Sequence, residues 1–163
     1  MSDCCAIANS EPAATENCPG CGRKGRPVGF ATVQAIVKPE LVPRRSGETY
    51  RFCPNPACDH LYFDGEWVAR KSDARVRVGL KESADPLPVC YCFGFTRADV
   101  RAEVQATGRC TIPDRITAEV QAGNCACETK NPSGTCCLGE VRKAVKEALA
   151  SAARRDTEIG GSP

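Results

Sequence analysis

Two short cysteine pairs, Cys18-Pro-Gly-Cys21 and Cys53-Pro-Asn-Pro-Ala-Cys58, constrain this chain more than any hydrophobic pattern in it. Gly and Pro hold each pair in a turn tight enough for amides to approach sulfur, and two such turns facing each other present four soft ligands to a tetrahedral ion. Zinc held by Cys18, Cys21, Cys53 and Cys58 is the expected occupant, with His60, two residues past Cys58, as the alternate ligand. Four thiolates leave no open coordination position, so the site reads as a structural staple and not a hydrolytic centre. A staple answers a need, because aromatic residues make up only 6 % of the 163, with a single Trp.

The chain carries 13 cysteines, an odd number that cannot pair completely within one molecule. No stretch approaches the roughly 20 apolar residues of a membrane helix, and the opening MSDCCAIANSEPAATEN has no basic flank before an apolar run. The expectation is a cytoplasmic protein without membrane insertion, where thiols stay reduced unless a metal or a reaction uses them. Basic and acidic residues, 22 against 20, are interspersed, which argues against nucleic acid as a partner.

Residues 1–17 and 154–163 lack periodicity and read as a flexible arm, carrying Cys4-Cys5, and a flexible tail. Between them the expected class is α+β, divided near SADPLP into a β-rich subdomain at 18–86 and a helical one at 87–153. In the first, RPVGF, ETYRF, LYFD, EWVARK and ARVRVGL read as strands, whereas TVQAIV fits strand or helix; Trp67 reads as a half-buried strand residue. In the second, three helices are expected: one capped by Thr96 and Asp99 with Val100 and Val104 on a face, one with Ile112, Ile116 and Val120, one with Val141, Val145 and Leu149. Arg97, Arg101, Arg142, Lys143 and Lys146 read as solvated helix faces.

A second cysteine group lies in the helical part. Cys90-Tyr-Cys92 precedes the first helix, and Cys125-Ala-Cys127 and Cys136-Cys137 lie after the helical hairpin, at the start of the third. Two pairs of thiolates so arranged suit a 2Fe-2S cluster, whose charge of about −2 when oxidised is favoured by the free amides at a helix N-terminus. Asn131-Pro-Ser-Gly134 is a turn sequence able to fold the loop back over sulfur. Spacing does not choose between Cys125 and Cys127, or between Cys136 and Cys137.

The stretches VCYCFGFT, CETKNPSGTCC, CPGC and FCPNPACDHLYF, in their order along residues 18–140, resemble the N-terminal domain of CopZ-type copper chaperones. The helical part is similar to bacterioferritin-associated ferredoxin. The resemblance implies a mononuclear zinc in the first half and a 2Fe-2S cluster in a three-helix, ferredoxin-like second half, with Cys90, Cys92, Cys127 and Cys137 as cluster ligands and Cys125 and Cys136 as alternates. That family continues into a copper-carrying domain with an M-x-C-x-x-C loop, whereas this sequence ends at Pro163 and its single Met is Met1. The redox half of the family's design is therefore the expectation.

Three functions follow. The first is electron transfer linked to reduction of Cu2+ to Cu+ in copper handling and heavy-metal resistance, a one-electron metal reductase activity with no acid or base side chain. The second is capture of Cu+ or Hg2+ as cargo by spare thiols, Cys4 and Cys5 foremost, for delivery to a metal transporter or metal reductase, with the cluster structural or sensory. The third is a zinc-only interaction protein. Cys110 reads as a packing residue, and no nucleophile and base set for a conventional enzyme is visible.

Overall fold

The computed structural model describes residues 16–44 and 49–159, so Cys4 and Cys5 lie outside the described residues. Four short strands, β1 (Arg26–Val28), β2 (Tyr50–Phe52), β3 (His60–Asp64) and β4 (Trp67–Arg70), form an antiparallel sheet in chain order. Helix α1 (Phe30–Ile36) is the TVQAIV segment, and it is helical because Thr32, Val33 and Ile36 gather on one buried face. That face meets Tyr50, Phe52, Leu61 and Tyr62 in the core of the first half. A register shift between His60 and Tyr62 interrupts the alternation of β3, so Leu61 and Tyr62 both reach this core while Phe63 turns to the cysteine side.

The expected strand ARVRVGL is not one. Val78 is buried but Val76 is exposed, and the segment ends in a 3₁₀ turn, Gly79–Lys81. The segment does not join the edge at β4; its first residue, Ala74, forms only an isolated antiparallel bridge with Val37. Arg77 instead pins the chain as a loop, donating to Glu82 Oε2 at 2.8 Å and to the carbonyls of Ala84 and Pro86 at 2.6 Å each.

The second half opens with a two-stranded hairpin, β5 (Pro88–Cys90) and β6 (Phe95–Thr96), followed by α2 (Arg97–Thr107), α3 (Ile112–Gln121), the single turn α4 (Cys127–Lys130) and α5 (Leu138–Ile159). Helices α2, α3 and α5 are the long ones of this part, and α5 runs past residue 153, where a tail was expected to begin. Val100, Val104, Ile112 and Ile116 are buried as their spacing predicts. On α5 the buried face is Val141, Ala144 and Ala148, while Leu149 is exposed, since α2 packs against α5 and small side chains admit the closer approach.

Thr96 caps α2: its hydroxyl accepts from the Asp99 amide at 3.2 Å and donates to Asp99 Oδ2 at 2.7 Å. Hydrogen bonds from the Thr96 hydroxyl and then the Thr96 amide hold the Asp99 carboxyl below the usual Asp range. A depressed folded-state value stabilises above the unfolded value of about 4 and loses that contribution as pH falls through the folded one. Thr96→Ala is expected to cost about 1 kcal/mol at neutral pH, and the difference from the parent to shrink under acid, as read by urea unfolding at both pH values; a difference that grows on acidification would refute the cap.

The two halves share a buried seam. Tyr62 Oη donates to the Pro132 carbonyl at 2.5 Å, Thr32 Oγ1 to the Glu128 carbonyl at 2.7 Å, and Tyr91 Oη accepts from the Gly79 amide at 2.9 Å. Gly79 is required there, because a Cβ would collide with the Pro88 carbonyl. Burial pushes the Tyr62 phenol far above its ordinary pKa, so it remains a donor. Tyr62→Phe leaves a buried carbonyl without its partner and is expected to cost about 1–3 kcal/mol; an unchanged urea midpoint would show the seam carries no energy.

Candidate metal centres

The first centre is built by two knuckles. In the first, the Cys21 and Gly22 amides donate to the Cys18 carbonyl at 3.3 and 2.8 Å, a tight return that needs the positive φ of +71° at Gly22. In the second, the Cys53 amide joins the Leu61 carbonyl of β3 at 2.9 Å, anchoring the start of C-x4-C to the sheet, and the Cys58 amide joins the Asn55 carbonyl at 3.2 Å, closing the turn within it. The four sulfurs lie within 4.8 Å of one another, with Cys18–Cys58 at 3.8 Å and Cys21–Cys53 at 3.7 Å. Metal–sulfur bonds of about 2.3 Å put the edges of a tetrahedron at about 3.8 Å, so the spacing fits one tetrahedral zinc without rearrangement.

Amides also aim at these sulfurs from two residues downstream. Those of Arg23, Asn55 and His60 reach Cys21, Cys53 and Cys58. The Arg23 amide is the main reason Cys21 falls to about 6, whereas burial pushes Cys53 up to about 12 against the pull of its Asn55 amide and the Lys81 charge. N–H donors of this kind favour the thiolate that a metal binds. His60 Nδ1 lies 3.6 Å from Cys18 Sγ, against a ligand sulfur and outside the four-thiol group, with its ring over Gly20.

In the second half the chain brings Cys90 and Cys137 to 3.0 Å and Cys92 and Cys127 to 3.5 Å. Cys90, Cys127 and Cys137 are buried, Cys92 is partly exposed, and Cys125 and Cys136 point out as exposed thiols. The hairpin supplies the C-x-C pair, α4 starts at Cys127, and Cys137 caps α5, its carbonyl accepting the Val141 amide at 3.0 Å. The Ala126 amide donates to Cys92 Sγ at 3.3 Å. Asn131 closes the intervening loop, its Oδ1 accepting from Ser133 N at 3.1 Å and its carbonyl from Gly134 N at 2.8 Å. The hydrogen bond between Cys90 and Cys137 holds Cys90 down to about 6 and, with burial, pushes Cys137 up.

The two cysteine groups differ in shape. Among the described residues, the first quartet alone gathers all its ligand atoms within 4.8 Å, while the second is two close pairs set apart. Cys110 belongs to neither; it is partly buried between α2 and α3, donating to Glu103 Oε2 at 3.5 Å. Cys136 lines a cleft at the seam with Arg26, Tyr91 and Arg97. Sequence reading missed Lys81, which is 5 % exposed beside the second knuckle, because Gly-Leu-Lys-Glu-Ser carries no mark separating it from a solvated turn.

A four-cysteine group set on two knuckles, joined through a buried seam to a helical half with two close thiol pairs, defines a cysteine-rich protein of metal-binding type. Residues 15–75 match a family model described as a zinc binding domain, that of CopZ. The chain is 36 % identical over 121 residues to the copper chaperone CopZ of Archaeoglobus fulgidus, covering 74 % of this chain and 57 % of that protein. The X-ray structure of the N-terminal domain of Archaeoglobus fulgidus CopZ superposes with a TM-score of 0.66 at 31 % identity, covering 78 % of this chain and 95 % of that one. The chain belongs to the family of CopZ-type N-terminal domains, and it spans a little over half the length of its full-length curated relative. Among the described residues no helix is long and apolar enough to cross a membrane.

Proposed function

We propose that this protein is a metal-handling protein of copper homeostasis in the cytoplasm, in which Cys18, Cys21, Cys53 and Cys58 hold a structural zinc and Cys90, Cys92, Cys127 and Cys137 hold a redox-active 2Fe-2S cluster. The observation that carries the cluster is the division of the second quartet into two close pairs, Cys90–Cys137 and Cys92–Cys127. A single ion asks for four mutually close ligands, whereas a two-iron cluster asks for two per iron. The amide at Cys92 and the start of α5 at Cys137 supply the donors and dipole that a negatively charged centre favours.

Bound there, the cluster supplies one-electron chemistry. The substrate is Cu2+, which takes one electron and becomes Cu+; a reduced electron-transfer partner protein returns that electron. The part-exposed Cys92 would present the open side of the cluster to an electron partner, because Cys90, Cys127 and Cys137 are buried in the helical core. Cu+ then passes to a metal transporter or a copper-carrying partner. Anaerobic purification tests the reading: a red-brown protein with two irons, two sulfides and one zinc, and an EPR signal on reduction that Cu2+ abolishes, is expected. Colourless protein holding only zinc would overturn the redox role and leave the zinc-only interaction protein.

The exposure of Cys125 and Cys136 beside the cluster favours one second reading, capture of Cu+ or Hg2+ by spare thiols for delivery. Under it, Cys125→Ser/Cys136→Ser abolishes Cu+ binding while Cu2+ leaves the reduced cluster untouched.

A further inference from the structure

Lys81 is the one lysine buried among the described residues. Its ammonium donates to the Asn55 carbonyl at 2.9 Å and the Cys58 carbonyl at 3.0 Å, and stands 5.8 Å from the centre of the Phe52 ring. Both carbonyls belong to the knuckle that runs from Cys53 to Cys58, so the side chain grips that knuckle from behind. Among the described residues no carboxylate pairs with it. Its neighbour Glu82 is engaged elsewhere, accepting from Arg77 Nε at 2.8 Å and Val78 N at 2.9 Å.

An ammonium taken out of water without an opposite charge is costly, and two neutral carbonyls and a ring face offset only part of that cost. The missing charge is next door. A divalent ion with four thiolates carries a net charge of about −2, and the Cys58 whose carbonyl Lys81 holds is itself one of the four. We propose that Lys81 is a positioning residue of the tetrathiolate centre, supplying the counter-charge that lets a doubly negative metal site sit against the core and so setting how firmly the ion is retained. The inference rests on the zinc reading above. It gives an electrostatic task to a 3₁₀ turn that otherwise only links the sheet to the seam.

The test compares Zn2+ retention by the full chain against a chromophoric chelator, with Zn2+ itself as the probe. Lys81→Gln, which keeps a donor and drops the charge, is expected to weaken Zn2+ binding by about 10-fold or more, and Lys81→Arg, which keeps the charge, to stay within about 3-fold of the parent. Lys38→Gln, at a partly exposed lysine bound to the Ser72 carbonyl, serves as control and leaves retention unchanged. Parent-like retention by Lys81→Gln would reduce Lys81 to a hydrogen-bond clamp and overturn the proposal. If Lys81→Gln does not fold, Lys81→Arg decides: a loss of about 10-fold or more overturns the charge argument, and retention within about 3-fold of the parent upholds it. Failure of the parent chain to take up Zn2+, or unchanged uptake in Cys53→Ser, would instead overturn the zinc reading itself.

Discussion

Replacing Cys53 by Ser is expected to destabilise the first half by more than about 4 kcal/mol, the range of a lost metal site. The satellite core around the knuckles consists of Cys18, Cys53 and Phe63 as its buried members, too little apolar surface to hold two loops in place. On the zinc reading, the thiols would hold the knuckles through a shared ion, and loss of one would break a site with no spare ligand inside the group. His60 stands 3.6 Å from Cys18 Sγ as an outer contact and is not one of the four ligand residues. Trp67, the single tryptophan, packs edge-on against Tyr50 with ring centres 5.7 Å apart and reports the unfolding by fluorescence. Chelating zinc from the parent protein is expected to reproduce the shift, and an unchanged midpoint in Cys53→Ser would mean the sheet stands without the metal.

Cys137→Ser is expected to remove the visible absorption and cut bound iron to less than about a tenth of the parent level, while Cys136→Ser leaves both near parent values. The two residues are adjacent in sequence, yet Cys137 is 2 % exposed with its sulfur at Cys90, whereas Cys136 is exposed at the seam cleft. The same contrast applies to the buried Cys127 and the exposed Cys125. Iron and sulfide analysis of the four single variants decides it. Retained iron in Cys137→Ser with loss in Cys136→Ser would transfer the ligand to the neighbour.

Spacing made the first quartet legible, because a C-x2-C and a C-x4-C pair have few other uses and the knuckle geometry is local. The Thr96 and Asp99 cap was legible for the same reason, being set by four consecutive residues. The strand expectation at ARVRVGL failed on contacts that alternation does not register, since Arg77 binds Glu82 and the carbonyls of Ala84 and Pro86 and holds the segment as a loop off the sheet. On α5, Val145 and Leu149 outweigh Ala144 and Ala148 in hydrophobicity, but helix approach selects the smaller pair. Sequence left Cys125 level with Cys127 and Cys136 level with Cys137, because neighbours in a chain differ only in which way the fold turns them. Lys81 was illegible altogether: its burial depends on a knuckle 23 residues away.

The seam between the halves limits how this chain tolerates rearrangement. Tyr91 lies between two candidate cluster thiols while its hydroxyl is held by Gly79 of the other half, and Tyr62, on the strand that follows the second knuckle, holds the loop leading to Cys137. A cut near residue 86 follows the change in sequence texture but divides these bonds, leaving buried hydroxyls and carbonyls of both fragments facing water. The two cysteine centres are thus inherited as one part, and a protein engineer transplanting either would need to carry the other with it.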